Sequence, residues 1–122
     1  RGEQLVRRFR ALVDQHYRAG WSVARYAATL GTTTPTLTRA CRRSLGRAPG
    51  ELVLDRVLLE AMRALTYSST AVSEIAHGLG FSDPAYFARF FRQRTGATAS
   101  RFRRERLWLA SGEREAAAAA PG

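Results

Sequence analysis

The 122-residue chain contains no lysine, one cysteine, one methionine and only four prolines. A single Cys41 excludes an internal disulfide framework and any multi-cysteine zinc site, and it fits a reducing compartment such as the cytoplasm. No stretch is long and apolar enough to cross a bilayer, and no signal-like apolar core is present. The chain opens on Arg1 rather than Met, so it is read as an excised piece of a longer soluble protein. Alternating runs of β-branched residues are missing too, whereas apolar residues recur at helical spacing almost everywhere; the expected fold is all-α. Catalytic grammar is equally sparse. No glycine-rich phosphate loop follows a strand, and no nucleophile elbow or carboxylate pair stands out. His16 and His77 have no second ligand at metal spacing, so no metal, cofactor or enzymatic activity is expected.

What the chain has in excess is positive charge. Twenty basic residues, all arginine, stand against ten acidic ones, for a formal net charge of +10. A field of that sign favours a polyanionic partner, either nucleic acid or an acidic membrane surface. The planar guanidinium fork suits phosphates and guanine edges, although a GC-rich genome also favours arginine codons.

Glycine and proline mark the seams. A first helix is expected from about Glu3 to Arg18, with Leu5, Phe9, Leu12, Val13 and Tyr17 inward, Arg7, Arg8 and Arg10 on a solvated face, and Gly20 as its stop. The segment from Ser22 to Leu52 then repeats in the segment from Ala71 to Phe102. Leu30-Gly31 falls on Leu79-Gly80 at an offset of 49, and Arg39 and Gly46 fall on Arg89 and Gly96 at an offset of 50. In both copies an alanine stands four positions before the turn glycine, Ala27 and Ala76. A small residue lets two helices cross closely, and a glycine takes the positive φ that turns one helix sharply into the next. A cap and proline follow each turn, Thr34-Pro35 and Asp83-Pro84, with Thr33 and Ser82 as the other candidate caps. This is helix-turn-helix grammar written twice.

The expected organisation is a first helix-turn-helix subdomain over residues 3–48, a linker helix over 49–66, a second subdomain over 67–110, and an unstructured tail over 111–122. The linker helix should turn Leu52, Leu58, Leu59, Met62 and Leu65 inward and join the two units rigidly. Trp21, Trp108, Phe9, Phe81, Phe87, Phe90, Phe91 and Phe102 sit at positions that serve a core rather than a stacking platform. Cys41 is read as a small core residue.

The string Ser22-Val23-Ala24-Arg25-Tyr26-Ala27 resembles the AraC/XylS family of transcription regulators. So, more specifically, does Val72-Ser73-Glu74-Ile75-Ala76-x-x-Leu79-Gly80-Phe81 followed by Tyr86-Phe87-x-Arg89-x-Phe91. The resemblance covers roughly Ser22 to Arg104. It implies two homeodomain-like helix-turn-helix units in tandem, with recognition helices in successive major grooves of double-stranded DNA about one helical turn, roughly 34 Å, apart. Carried over position by position, base contacts fall on Thr34, Pro35, Thr38 and Arg39 in the first unit and on Pro84, Ala85, Ala88 and Arg89 in the second. Thr33, Arg42, Arg43, Ser82, Arg92, Gln93 and Arg94 are the matching phosphate candidates. The resemblance also implies a bipartite promoter site, RNA polymerase as a partner, and an effector-sensing or dimerising domain ahead of the module. Three positions depart from the family pattern. Cys41 stands where a bulky apolar residue is usual, Ala99 where proline is common, and Pro35 is shifted by one place. Competing readings are a nonspecific architectural nucleic-acid binder, the DNA-binding part of an alkylation-repair protein with Cys41 as methyl acceptor, and a membrane-surface helix protein.

Overall fold

The computed structural model describes residues 2–119, and every regular element among them is helical. The elements are α1 (Gly2–His16), extended by a 3-10 turn (Tyr17–Ala19), α2 (Val23–Thr29), α3 (Thr34–Leu45), α4 (Pro49–Tyr67), α5 (Val72–Gly78), α6 (Pro84–Thr95) and α7 (Ala99–Ala119). Two compact units form. One holds α1 to α3, α4 as far as Glu60, and Gly78–Gly80; the other begins at Ala61 and takes in the rest of α4, α5 to His77, and the chain from Phe81 onward.

In the first unit, α1 packs on α3. Its buried stripe is Val6, Phe9 and Val13, continued by Tyr17, while Leu5 and Leu12 are only half-buried. Phe9, Val13 and Tyr17 are thus buried as the spacing predicts, and Val6 is buried where Leu5 and Leu12 were expected to be. Phe9 meets Tyr26 edge-on at 5.4 Å between ring centroids, and Leu37, Ala40 and Cys41 of α3 close the core. Arg56 ties α4 to α1. Its Nε donates to Asp14 Oδ1 at 2.8 Å, its guanidinium lies 4.3 Å over the Tyr17 ring, and Glu60, which accepts from the Tyr17 hydroxyl at 3.2 Å, lies 3.7 Å from its Nη1. Burial works against the Arg56 charge, but the Asp14 hydrogen bond, with Tyr17 and Glu60, more than offsets it and raises its pKa.

In the second unit, Ala61 and Leu65 of α4, Ile75 and Ala76 of α5, Phe87, Phe90 and Phe91 of α6, and Ala99 and Phe102 of α7 are all buried, with Phe91 edge-on to Phe102 at 5.5 Å between centroids. Arg103 reaches back to the C-terminal end of α4, donating to the carbonyls of Leu65 at 3.1 Å and Ser68 at 3.3 Å. Those oxygens have no partner within the helix, and a cation suits that end of the helix dipole.

The structure corrects three expectations. Along α4 the buried positions are Val57, Ala61 and Leu65, four residues apart, and Leu59 is exposed. Small Ala61 permits close approach, so the stripe follows the alanine rather than the larger leucines. Trp108 is 74% exposed, because the last core residue of α7 lies a turn and a half earlier at Phe102. α7 runs on to Ala119; alanine is the strongest helix former and no proline intervenes before Pro121. Residues 120–122 of the expected tail lie outside the described residues. The 3-10 turn moves the end of the first α-helix back to His16, with Gly20 at φ 68° as its stop.

Candidate nucleic-acid interface

The two helix-turn-helix motifs are built alike. Ala27 and Ala76 are each 1% exposed, and the amides two residues beyond each preceding leucine, Thr32 and Phe81, donate back to the Ala27 and Ala76 carbonyls at 2.9 and 3.1 Å. Gly31 and Gly80 sit between at φ 70° and 95°, in the region where a side chain is strained. The helix that follows begins at a hydrogen-bonded cap in both copies. Thr33 Oγ1 accepts from the Thr36 amide at 3.3 Å, and Asp83 Oδ1 accepts from the Ala85 amide at 3.0 Å. Thr33, not Thr34, is therefore the first cap, and Pro35 falls one place later in its helix than Pro84 does. Gly46 and Gly96, at φ 68° and 79°, end α3 and α6 with their amides on the carbonyls of Arg42 and Arg92.

The cores behind α3 and α6 also correspond. Leu37, Ala40 and Cys41 are buried in α3, and the residues 50 positions later, Phe87, Phe90 and Phe91, are buried in α6. The opposite face is open. Thr34, Pro35 and Arg39 are exposed with Thr38 half-buried, and Pro84, Ala85, Ala88 and Arg89 are all exposed. Each leading arginine is steadied by the residue three positions before it: Arg39 donates to Thr36 Oγ1 at 3.4 Å, and the Arg89 guanidinium lies 5.8 Å from the Tyr86 ring centroid. Arg42, Arg43, Ser82, Arg92, Gln93 and Arg94 are exposed as well, Arg94 with its guanidinium 5.5 Å from the Phe90 ring centroid. Thr33 is exposed but its hydroxyl is engaged, donating to Thr36 Oγ1 at 2.9 Å while it caps the helix.

The carboxylates serve the scaffold. Arg18 and Arg56 pair with Glu60, Arg56 also with Asp14, Arg47 with Glu51 and Asp55, and Arg101 with Glu105. Among the described residues, no ion pair engages Arg39, Arg42, Arg43, Arg89 or Arg92. Their charge is available to an incoming anion at no cost of breaking an internal pair.

Cys41 is 0% exposed, and burial pushes its thiol pKa up, so it remains a protonated core group. Iodoacetamide should accordingly label it only as the protein unfolds; labelling of the native protein at the rate seen in denaturant, followed by mass, would place the thiol at the surface. Among the described residues no group of three or more His, Cys, Asp or Glu is placed to hold a metal, and no helix is long and apolar enough to cross a membrane.

The chain thus holds two helix-turn-helix units in tandem, each with exposed arginines on its second helix. A family profile described as "Helix-turn-helix domain" matches residues 26–105. The chain belongs to the AraC/XylS family. Among curated proteins it is 35% identical over 92 residues to the urease operon transcriptional activator of Escherichia coli, an alignment covering 75% of this chain and 31% of that protein. Among solved structures it is similar to the C-terminal domain of AraT, a response regulator from Geobacillus stearothermophilus, with a TM-score of 0.80 and 24% identity over 84% of this chain and 85% of that one. It is also similar to the DNA-binding domain of AdpA, a global transcriptional factor solved in complex with a target DNA, with a TM-score of 0.74 and 26% identity over 85% of this chain and 90% of that one. The chain spans about a third of the length of the curated regulators it matches.

Proposed function

We propose that this module binds double-stranded DNA sequence-specifically, placing α3 and α6 in successive major grooves of a bipartite promoter site. The observation that carries this reading is the matched pair of exposed stripes at an offset of 50, Thr34, Pro35, Thr38 and Arg39 against Pro84, Ala85, Ala88 and Arg89. Arg39 and Arg89 can each give two hydrogen bonds to the O6 and N7 of guanine, worth about 1–3 kcal/mol of discrimination per good pair. Arg42, Arg43, Arg92, Gln93, Arg94, Ser82 and the start of α3 at Thr33 supply phosphate contacts that set register and affinity. The short side chains of Ala85 and Ala88 make base readout by α6 sparser than by α3.

The likeness to transcription activators, together with the small share of their length that this chain spans, supports a longer cytoplasmic regulator. In it a separate effector or dimerisation domain controls this module, which also meets RNA polymerase. The buried thiol of Cys41 supports a core role over methyl acceptance. Selection from a random duplex library at near-physiological salt tests the reading. Two short enriched blocks about one helical turn apart are expected, the first relaxed by Arg39→Ala and the second by Arg89→Ala. Tight, salt-sensitive binding without enrichment would make the chain a nonspecific architectural binder instead.

A further inference from the structure

The first turn of α1 lies against the middle of α3: a Cβ placed on Gly2 would meet the Ala40 Cβ at 3.8 Å. Two depressions adjoin along this contact. One, of about 250 Å³, is bordered by Thr36, Arg39 and Arg43; the other, of about 630 Å³, by Glu3, Arg7, Arg10 and Arg43. Gly2 and Arg43 border both, so four guanidinium groups follow one trough that begins at Arg39 and leads away along α1, with Glu3 as its only carboxylate among the lining residues. All four arginines are exposed, and none makes an ion pair among the described residues.

On α3, Arg43 stands three residues from Ala40 and seven from Thr36, on the flank turned toward α1 rather than on the Thr34-Thr38-Arg42 stripe. The second copy has glutamine at the corresponding position, Gln93. The arginine that borders both depressions is therefore absent from the second copy, while Arg7 and Arg10 of α1 border the same depression as Arg43. A row of unpaired guanidinium groups is suited to a row of phosphodiesters, which take the planar fork in two hydrogen bonds and are spaced along a continuous strand.

We infer that this trough is a track for the DNA backbone: Arg7 and Arg43, with Arg10 beyond them, hold consecutive phosphates flanking the bases that Arg39 faces. The inference rests on α3 being a recognition helix. Arg7 then contributes affinity without sequence preference, whereas Arg8, one residue along on the same helix but outside the lining, contributes only its share of the general field.

The test uses the full chain, a labelled duplex carrying the selected site, a scrambled duplex of equal length, and salt from 50 to 200 mM. Arg7→Gln should weaken binding to both duplexes by the same factor and lower the slope of log affinity against log salt by about 0.9. Its disadvantage relative to the unsubstituted chain should therefore shrink about threefold across that salt range. Arg8→Gln should leave the slope unchanged. Glutamine is a good helix former at exposed positions, so both variants should melt as the parent does. Equal slopes for Arg7→Gln and Arg8→Gln would overturn the track, as would an Arg7→Gln effect confined to the selected duplex. If the parent chain prefers neither duplex, the sequence-reading proposal fails on its own while the slopes still decide the trough.

Discussion

Phe91→Ala is expected to lower the stability of the protein by about 3–5 kcal/mol, the usual cost of deleting a buried phenyl ring. Phe91 is 0% exposed and joins two neighbours, Phe87 at 5.9 Å and Phe102 edge-on at 5.5 Å between centroids. It holds α6 to the start of α7, so its loss leaves α6 without a seat. The functional consequence is specific. In the library selection, Phe91→Ala should lose the block assigned to α6, although no DNA-facing side chain has changed. Urea denaturation supplies the number, and a midpoint shift equivalent to less than 1 kcal/mol would mean that Phe91 does not hold the second recognition helix. The counterpart in the first unit, Cys41→Ala, removes far less volume and should cost well under half as much.

That asymmetry explains a departure visible in the sequence. Cys41 occupies the place of Phe91, where a bulky apolar residue is usual. The residue 49 positions before Ile75 is Tyr26, so the first unit pairs a large side chain on α2 with a small one on α3, and the second pairs Ile75 with Phe91. Tyr26 and Cys41 are both fully buried, and Phe9 of α1 fills the remaining space beside Tyr26 at 5.4 Å. Interiors are packed to nearly constant density, so bulk lost at one position returns at its neighbour. Large buried side chains thus stand elsewhere in the first unit, and the face of α3 opposite Cys41 remains open.

The parts legible from sequence were those set by local backbone chemistry. The turn glycines, the alanines four residues before them and the glycine stops of α3 and α6 each demand a particular φ or a missing side chain, and residues meeting such demands are few. The parts that escaped depend on which neighbour a helix face meets. Spacing places Leu5, Val6, Phe9, Leu12 and Val13 on one broad side of α1, but it cannot say that Val6 rather than Leu5 is fully buried. The same ambiguity made Leu59 look buried. Arg7 and Arg43 are far apart in the chain and carry no shared motif; only the packing of α1 on α3 puts them along one trough. The open face of α3 and α6 was legible through the repeat, because the offset of 50 aligns an open stripe as faithfully as it aligns a buried one.

Gly80→Ala should destabilise the protein by about 2–5 kcal/mol, from two separate causes. Its φ of 95° is one an L-residue rarely adopts, and a Cβ built there would sit 2.6 Å from the carbonyl oxygen of Arg18, a backbone atom that cannot swing aside. The surroundings tighten the constraint, since Arg18 Nη1 also donates to the Gly78 carbonyl at 3.3 Å and Gly20 N would lie 3.7 Å from the added carbon. Gly31, its counterpart in the first copy, provides the control. It has φ 70° and nothing within 4 Å of the added carbon, so Gly31→Ala should cost only the conformational part, about 1–2 kcal/mol. The difference between the two substitutions, measured by thermal or urea denaturation, isolates the steric clash. Equal costs would show that the chain around Arg18 yields to the added methyl. A larger cost for Gly80 would mean that the second turn is held by its neighbours as well as by its own backbone, a constraint the repeated sequence does not announce.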